Sequence, residues 1–265
     1  MIDLHCHLLP GIDDGPAALD DALAMARAAV ALGTRTIVAT PHVSSRYPND
    51  AGRIEAVLTE LERQLRAHEI PLEVLPGAEI ALSYLFDLDE AELARLGLGG
   101  GGWLLVEPPF SAAAAGVDDL VLELVHAGHR VVLAHPERCP AFQREPRALH
   151  ALVDQGVLTS LTAGSLVGRF GSGVRRFAAR LVESGVVHNV ASDAHGAAGR
   201  SPSIARELEH AGLGELREWL TVEVPAAILE DARAIPPAPE LRELPAIAQR
   251  QWWRRGPLRR ASLSR

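Results

Sequence analysis

The sequence predicts an α/β chain built on a mostly parallel sheet, closed or nearly closed into a barrel. Three observations predict it. Strand-like and helix-like segments alternate about seven times along residues 1–232. Six of the strand-like segments run into His, Glu or Asp at or just past their ends, at His5, His42, Glu79, Glu107, His135 and Asp193. The chain has 265 residues, 48% of them hydrophobic, with mean hydropathy +0.08, which suits one large α/β core or two small ones. In parallel barrels the functional residues gather at the C-terminal strand ends, so residues distant in sequence become neighbours.

The first strand opens the chain at residues 1–5 and leads through Asp3-Leu4-His5-Cys6-His7. His5 and His7 are two apart, so on a strand both side chains point to one face. Two adjacent imidazoles are poor core material but half of a metal site. Residues 10–16 are a loop by composition, and 17–32 a helix stopped by Gly33. A strand at 35–40 carries His42 beyond its end. Residues 49–68 form a helix ended by Pro71, and 72–75 a strand leading to Glu79. A short helix at 89–96 precedes a flexible glycine linker at 99–102. Then come a strand at 103–106 before Glu107, a helix at 117–127, a strand at 130–134 before His135, and a helix at 146–155. A strand at 157–161, a helix at 174–184 and a strand at 186–191 lead to Asp193 and His195. Helices follow at 204–211 and 216–232.

The domain assigned to the barrel is 1–235. From Pro236 the composition changes: Pro236-Pro237-Ala238-Pro239 breaks helix, and 250–265 holds six arginines and no acid. Residues 236–265 therefore read as a disordered basic tail, with membrane or partner contact through Trp252-Trp253 the less favoured role. A formal charge of −8 and a pI near 5.8 argue against sequence-independent binding of nucleic acid. Two cysteines without paired spacing offer neither a disulfide framework nor a thiolate metal site. No apolar run reaches the ~18 residues of a membrane span and no secretory leader precedes the first strand, so the cytoplasm is expected.

The candidate ligands are His5, His7, Asp14, His42, Glu79, Glu107, His135, Asp193 and His195. A single histidine or carboxylate at a strand end is usually hydrogen-bonded structure; nine at one rim point to metal. Asp14 is the weakest, because Asp13-Asp14-Gly15-Pro16 is also an ordinary turn. Mixed imidazole and carboxylate without thiolate suits Mn, Fe or Zn, and paired ions suit phosphoester hydrolysis. Arg138 and Arg200, close behind His135 and His195, have the fork that binds phosphate oxygens. Cys139 and Arg144 are separated by four residues, one short of a cysteine-phosphatase loop. Cys139 reads as a bystander, Cys6 as barrel wall, and the remaining histidines as surface or packing.

Met1-Ile2-Asp3-Leu4-His5-Cys6-His7 with Asp13-Asp14-Gly15-Pro16 resembles the polymerase-and-histidinol-phosphatase (PHP) superfamily. Within it the chain is similar to the bacterial manganese-dependent protein-tyrosine phosphatases of capsule and exopolysaccharide loci, the CpsB/YwqE type. Segments 35–42, 77–80, 134–138, 162–171 and 191–195 extend the resemblance over about residues 1–232. The resemblance implies a distorted (β/α)7 barrel with up to three ions. It implies one ion on His5, His7, Glu79 and Asp193, a second sharing Glu79 with Glu107 and His135, and a third on Asp14, His42 and His195. Arg138 and Arg200 would hold the phosphate, a metal-bound hydroxide would attack phosphorus, and the tyrosine phenolate would leave. The implied substrate is a phosphorylated, membrane-associated bacterial tyrosine kinase. Alternatives are a small-molecule phosphatase of the histidinol-phosphate type and a non-catalytic regulatory barrel. An amidohydrolase-type barrel usually needs a ligand lysine, and this chain contains no lysine.

Overall fold

The computed structural model describes residues 1–232 and 234–239. Nine strands occur among them: β1 Ile2–Cys6, β2 Thr36–Ala39, β3 His42–Val43, β4 Glu73–Leu75, β5 Glu79–Ala81, β6 Trp103–Glu107, β7 Arg130–Ala134, β8 Leu158–Thr162 and β9 Asn189–Ala191. Every pairing is parallel, in two sheets ordered β1-β2-β4 and β3-β5-β6-β7-β8-β9.

The two sheets are one barrel with two broken staves. β2 and β3 are separated by Thr40-Pro41, and β4 and β5 by Pro76-Gly77-Ala78. Proline has no N–H for the ladder, so each stave breaks there. Backbone bonds carry the pairing across the breaks: Thr40 N–H donates to Cys6 O at 3.0 Å and Glu79 N–H to Pro41 O at 3.1 Å. Gly77 lets the staves approach, since a Cβ there would lie 2.7 Å from Val38 Cγ1. The barrel closes where Cys6 bridges Ala194, with His7 N–H donating to Ala194 O at 3.0 Å and Asp193 N–H to His5 O at 2.9 Å. Joining the broken pairs leaves seven staves, the predicted distorted (β/α)7 barrel. The distortion lies in the two proline breaks; the strands expected at 35–40 and 72–75 stop there, and the short pieces β3 and β5 beyond them were not expected.

The helices bury the stripes their periodicity predicts. Ala51–Ala67 buries Ala51, Ile54, Leu58, Leu61 and Leu65, and the Asp50 side chain caps it by accepting from Arg53 N–H. The centres of β2, β6 and β7 are fully apolar, as a parallel sheet covered on its faces requires: Ile37, Val38, Leu105, Val106, Val132 and Leu133 are all 0% exposed. Cys6 and Cys139 are buried and free, with Cys6 in the wall as expected.

Three expectations change. The 99–102 linker is an ordered turn: Leu98–Gly100 is a 3-10 helix, Gly99 N–H donates to Pro76 O and Gly102 N–H to the Asp231 carboxylate. Glycine there serves positive φ at Gly99 and Gly100 rather than flexibility. The predicted helix at 216–232 is a 3-10 turn at Gly214–Leu216, a π-helix at Trp219–Glu223 and an α-helix at Val224–Leu229. Short helices also follow strand ends at Leu82–Leu85, Pro136–Arg138 and Ala163–Leu166. They are too brief for periodicity to show. Of the tail, residues 236–239 are described, and Trp219 Nε1 donates to Pro236 O at 3.0 Å. The expectations for 240–265, Trp252-Trp253 included, lie outside the described residues.

Candidate metal centre

All nine predicted ligands converge at the C-terminal end of the barrel, each within 4 Å of another. His5 Nε2 and His7 Nε2 are 3.3 Å apart, the shared face that their spacing requires. Glu79, the first residue of β5, lies at the centre. Its Oε2 is 3.1 Å from both His5 Nε2 and His7 Nε2 and 3.2 Å from His42 Nδ1. Its Oε1 is 2.8 Å from His135 Nε2. Asp193 Oδ1 lies 3.6 Å from both His5 Nε2 and His7 Nε2, and 3.7 Å from His195 Nδ1. Asp14 Oδ1 is 3.4 Å from His42 Nε2 and 3.3 Å from His195 Nε2. Glu107 is the most distant, 3.8 Å from His135 and 3.9 Å from His42.

Four overlapping groups have ligand atoms close enough to share an ion: His7-Asp14-His42-His195, His5-His7-Asp193, His5-Glu79-His135 and His42-Glu79-Glu107. These donors fit a metal. Three imidazole nitrogens crowd the buried Glu79 Oε2, yet none is aligned as a hydrogen-bond donor to it. Polar groups that satisfy one another align; groups arranged around a cation need not. The electrostatics agree. Burial pushes the Glu79 carboxyl up, but His5, His135 and His7 outweigh it and hold it well below the carboxylate range. Burial, then the charge of Glu79, pushes Glu107 up to about 8. A cation would relieve that crowding of carboxylates.

The backbone aims these groups. His135 and Asp193, each just past a strand end, have φ of 32° and 49°. Positive φ is costly for a residue with a Cβ and persists where surroundings impose it. Supporting groups fix the rings. Asp13 Oδ2 is 2.7 Å from His7 Nδ1, leaving Nε2 for the centre, and accepts from His42 N–H at 3.1 Å. Gly15 permits this turn, because a Cβ there would lie 2.5 Å from His7 O. Asp3 Oδ1 accepts from Ser192 N–H at 2.9 Å and ties the barrel seam beneath Asp193.

Arg138 and Arg200 meet on one carboxylate oxygen. Arg138 Nη1 donates to Asp193 Oδ2 at 2.8 Å, and Arg200 Nη2 forms an ion pair with the same atom at 2.5 Å. Arg200 Nη1 is also 3.0 Å from His195 Nε2. The Arg138 guanidinium carbon lies 4.4 Å from the Phe170 ring centre and 4.7 Å from that of Phe110, and that of Arg200 lies 5.9 Å from Phe170. Both arginines line a cavity of about 360 Å³ together with Asp14, His42, Glu79 and Glu107.

Sequence reasoning missed several contributors. Glu137 is buried, and its Oε1 accepts from Thr162 N–H at 3.0 Å and Ser165 Oγ at 2.7 Å, bracing the turn between His135 and Arg138. Its place in His135-Pro136-Glu137-Arg138 was the available signal. Phe110, Phe170 and Tyr47 carried none, since a lone aromatic in a loop has no period. Of the other histidines, His188 is packing: its Nδ1 accepts from Thr159 N–H at 3.2 Å.

A seven-stave barrel carrying clustered imidazoles and carboxylates beside two guanidinium groups defines a metal-dependent phosphoester hydrolase class. The family described as capsular polysaccharide synthesis, CpsB/CapC, matches residues 1–215. The tyrosine-protein phosphatase YwqE of Bacillus subtilis (strain 168) is 41% identical over 196 residues, 74% of this chain and 77% of that protein. The putative tyrosine-protein phosphatase CapC of Staphylococcus aureus is 31% identical over 211 residues, 78% of this chain and 82% of that protein. A crystal structure from work describing YwqE and the CpsB of Streptococcus pneumoniae as unique metal-dependent tyrosine phosphatases superposes with a TM-score of 0.78. It is 37% identical and covers 91% of this chain and all of its own. The chain belongs to the CpsB/CapC family, and within it to the metal-dependent tyrosine-protein phosphatases. No helix among the described residues is long and apolar enough to cross a membrane.

Proposed function

We propose that the chain removes phosphate from phosphotyrosine in a bacterial tyrosine kinase of capsule or exopolysaccharide synthesis, using manganese. Up to three ions are held, and the same donors would accept iron or zinc. His5, His7, Glu79 and Asp193 hold one ion; Glu79, Glu107 and His135 a second; Asp14, His42 and His195 a third. The cytoplasm is the compartment this reading assigns.

When bound, the ions supply Lewis-acid charge and make water acidic enough to serve as a nucleophile near neutral pH. The chain's own residues prepare the substrate. Arg138 and Arg200 offer their planar N–H forks to the phosphate, each able to hold two of its oxygens. Asp193 keeps both guanidinium groups at the cluster's edge. His5, His7, Glu79 and His135, all 2% exposed or less, form a dry floor where charge acts at low dielectric. The phenolate of tyrosine, with a pKa near ~10, leaves more readily than an alkoxide.

The observation that carries this reading is the meeting of two guanidinium forks and a mixed imidazole–carboxylate cluster on Asp193. The test is hydrolysis of a phosphotyrosine peptide with added manganese by the wild type, His42→Ala and Arg138→Ala. Loss of turnover is expected in both variants; undiminished rates in either would remove its assigned role. Histidinol phosphate run beside the peptide separates the small-molecule phosphatase alternative.

A further inference from the structure

Two aromatic rings stand at the mouth of the cavity, on different elements. Tyr47 lies in the loop after β3 and Phe110 in the loop after β6; both line the cavity. The Tyr47 ring stacks on His42, with centres 5.6 Å apart and planes 8° apart. The Phe110 ring stacks on His135 at 5.3 Å and 22°. Each ring is also approached by a guanidinium, Arg46 over Tyr47 at 5.2 Å and Arg138 over Phe110 at 4.7 Å. Phe110 remains 45% exposed, so part of its ring is open to solvent.

The Tyr47 loop is held, not loose. Ser44 N–H donates to Tyr47 O at 2.9 Å, and Tyr47 N–H to Ser44 Oγ at 3.2 Å. Asn49 Nδ2 donates to Ile12 O and His42 O, fixing the same segment against the metal-centre loop. Hence the Tyr47 ring keeps a fixed position relative to His42. A phosphate held by Arg138 and Arg200 would share this cavity with both rings, so its ester group would lie within their reach.

We propose that Phe110 and Tyr47 form an aryl slot that selects phosphate esters of a phenol over those of an aliphatic alcohol. The inference rests on the phosphotyrosine reading above and names the residues that would set its specificity. An aromatic leaving group gains ring–ring contact in the slot; a serine or threonine side chain is too short and has no ring to stack. The forks and the metal ligands see only the phosphate, so beyond the phenolate's easier departure the choice between esters falls to these rings.

The test compares kcat/KM on one peptide carrying either phosphotyrosine or phosphoserine, with manganese, in the wild type, Phe110→Leu, Tyr47→Leu and Tyr47→Phe. Leucine keeps apolar bulk and removes the ring face. The aryl-to-alkyl ratio is expected to fall about 10-fold in each leucine variant, chiefly through KM for the aryl ester, and to be restored in Tyr47→Phe. A variant that merely disturbed His42 or His135 would slow both esters alike and leave the ratio unchanged. Where phosphoserine turnover is too slow to read, inhibition constants of phenylphosphonate and methylphosphonate give the same ratio. A ratio within twofold of wild type in both leucine variants would overturn the slot. A wild type that does not turn over phosphotyrosine at all would overturn the function reading instead.

Discussion

The metal pocket has a floor and a rim made of the same residue types. On the floor, the side chains of His5, His7, Glu79, His135 and Asp193 are at most 2% exposed. On the rim, Asp14 is 45% exposed, Arg200 31%, Glu107 17%, His42 15% and His195 10%. Floor groups sit at or next to strand ends and are sealed from solvent; rim groups come mainly from loops and keep part of their surface in water. Floor residues therefore serve both fold and chemistry, because removing one leaves buried charge without its partner. Rim residues can fail chemically while the barrel stands.

The largest effect should follow Asp193→Ala. It removes the acceptor of both arginines and a neighbour of His5, His7 and His195. Turnover should fall below detection, manganese content should drop, and the metal-free protein should lose about 3 kcal/mol of stability. Asp14→Ala should lower activity about 10–100-fold yet leave the metal-free melting temperature nearly unchanged. Equal melting temperatures for the two variants would erase the distinction between floor and rim. Second only to Asp193→Ala in their effect on turnover, Arg138→Ala and Arg200→Ala should each cost about 10²–10³ in kcat/KM with metal content retained. Lysine at either position should restore only part, since it keeps charge but not the fork.

A smaller effect sharpens the comparison within the rim. Phe170 is not itself expected to touch substrate, yet the Arg138 and Arg200 guanidinium groups lie over its ring. Phe170→Leu should raise KM a few-fold with kcat nearly kept, about 0.5–1 kcal/mol of lost cation–π contact. An unchanged KM would show that the Phe170 ring does not position the arginines.

The floor was more legible in the sequence than the rim. His5 and His7 are readable because a strand has period two, and Glu79, His135 and Asp193 because each follows an apolar run. Asp14 read equally well as a turn, and nothing local separated it from Asp13, which instead buttresses His7 and His42. The staves were legible as alternation, and Pro41 and Pro76 mark where two strands stop; the resumed pieces β3 and β5 were not legible, because two or three residues show no period. Tyr47, Phe110 and Phe170 act through stacking across the fold, which no one-dimensional spacing encodes.

His188 shows what burial does to an imidazole without the site's carboxylates, and it gives the smallest prediction. It lies outside the cluster, and burial alone lowers its pKa to about 4. Between that value and the ordinary ~6.5, the unfolded chain binds a proton that the folded chain does not. Stability therefore rises with pH across this window and is lost as pH falls from about 6.5 toward 4. The contribution amounts to roughly 1 kcal/mol between pH 7 and 5.5. His188→Gln removes this titration, so its urea midpoint should change less over that interval than the wild type's, with metal absent from both. Identical pH slopes would mean that His188 keeps an ordinary pKa and that burial at this end of the barrel is shallower than its packing indicates.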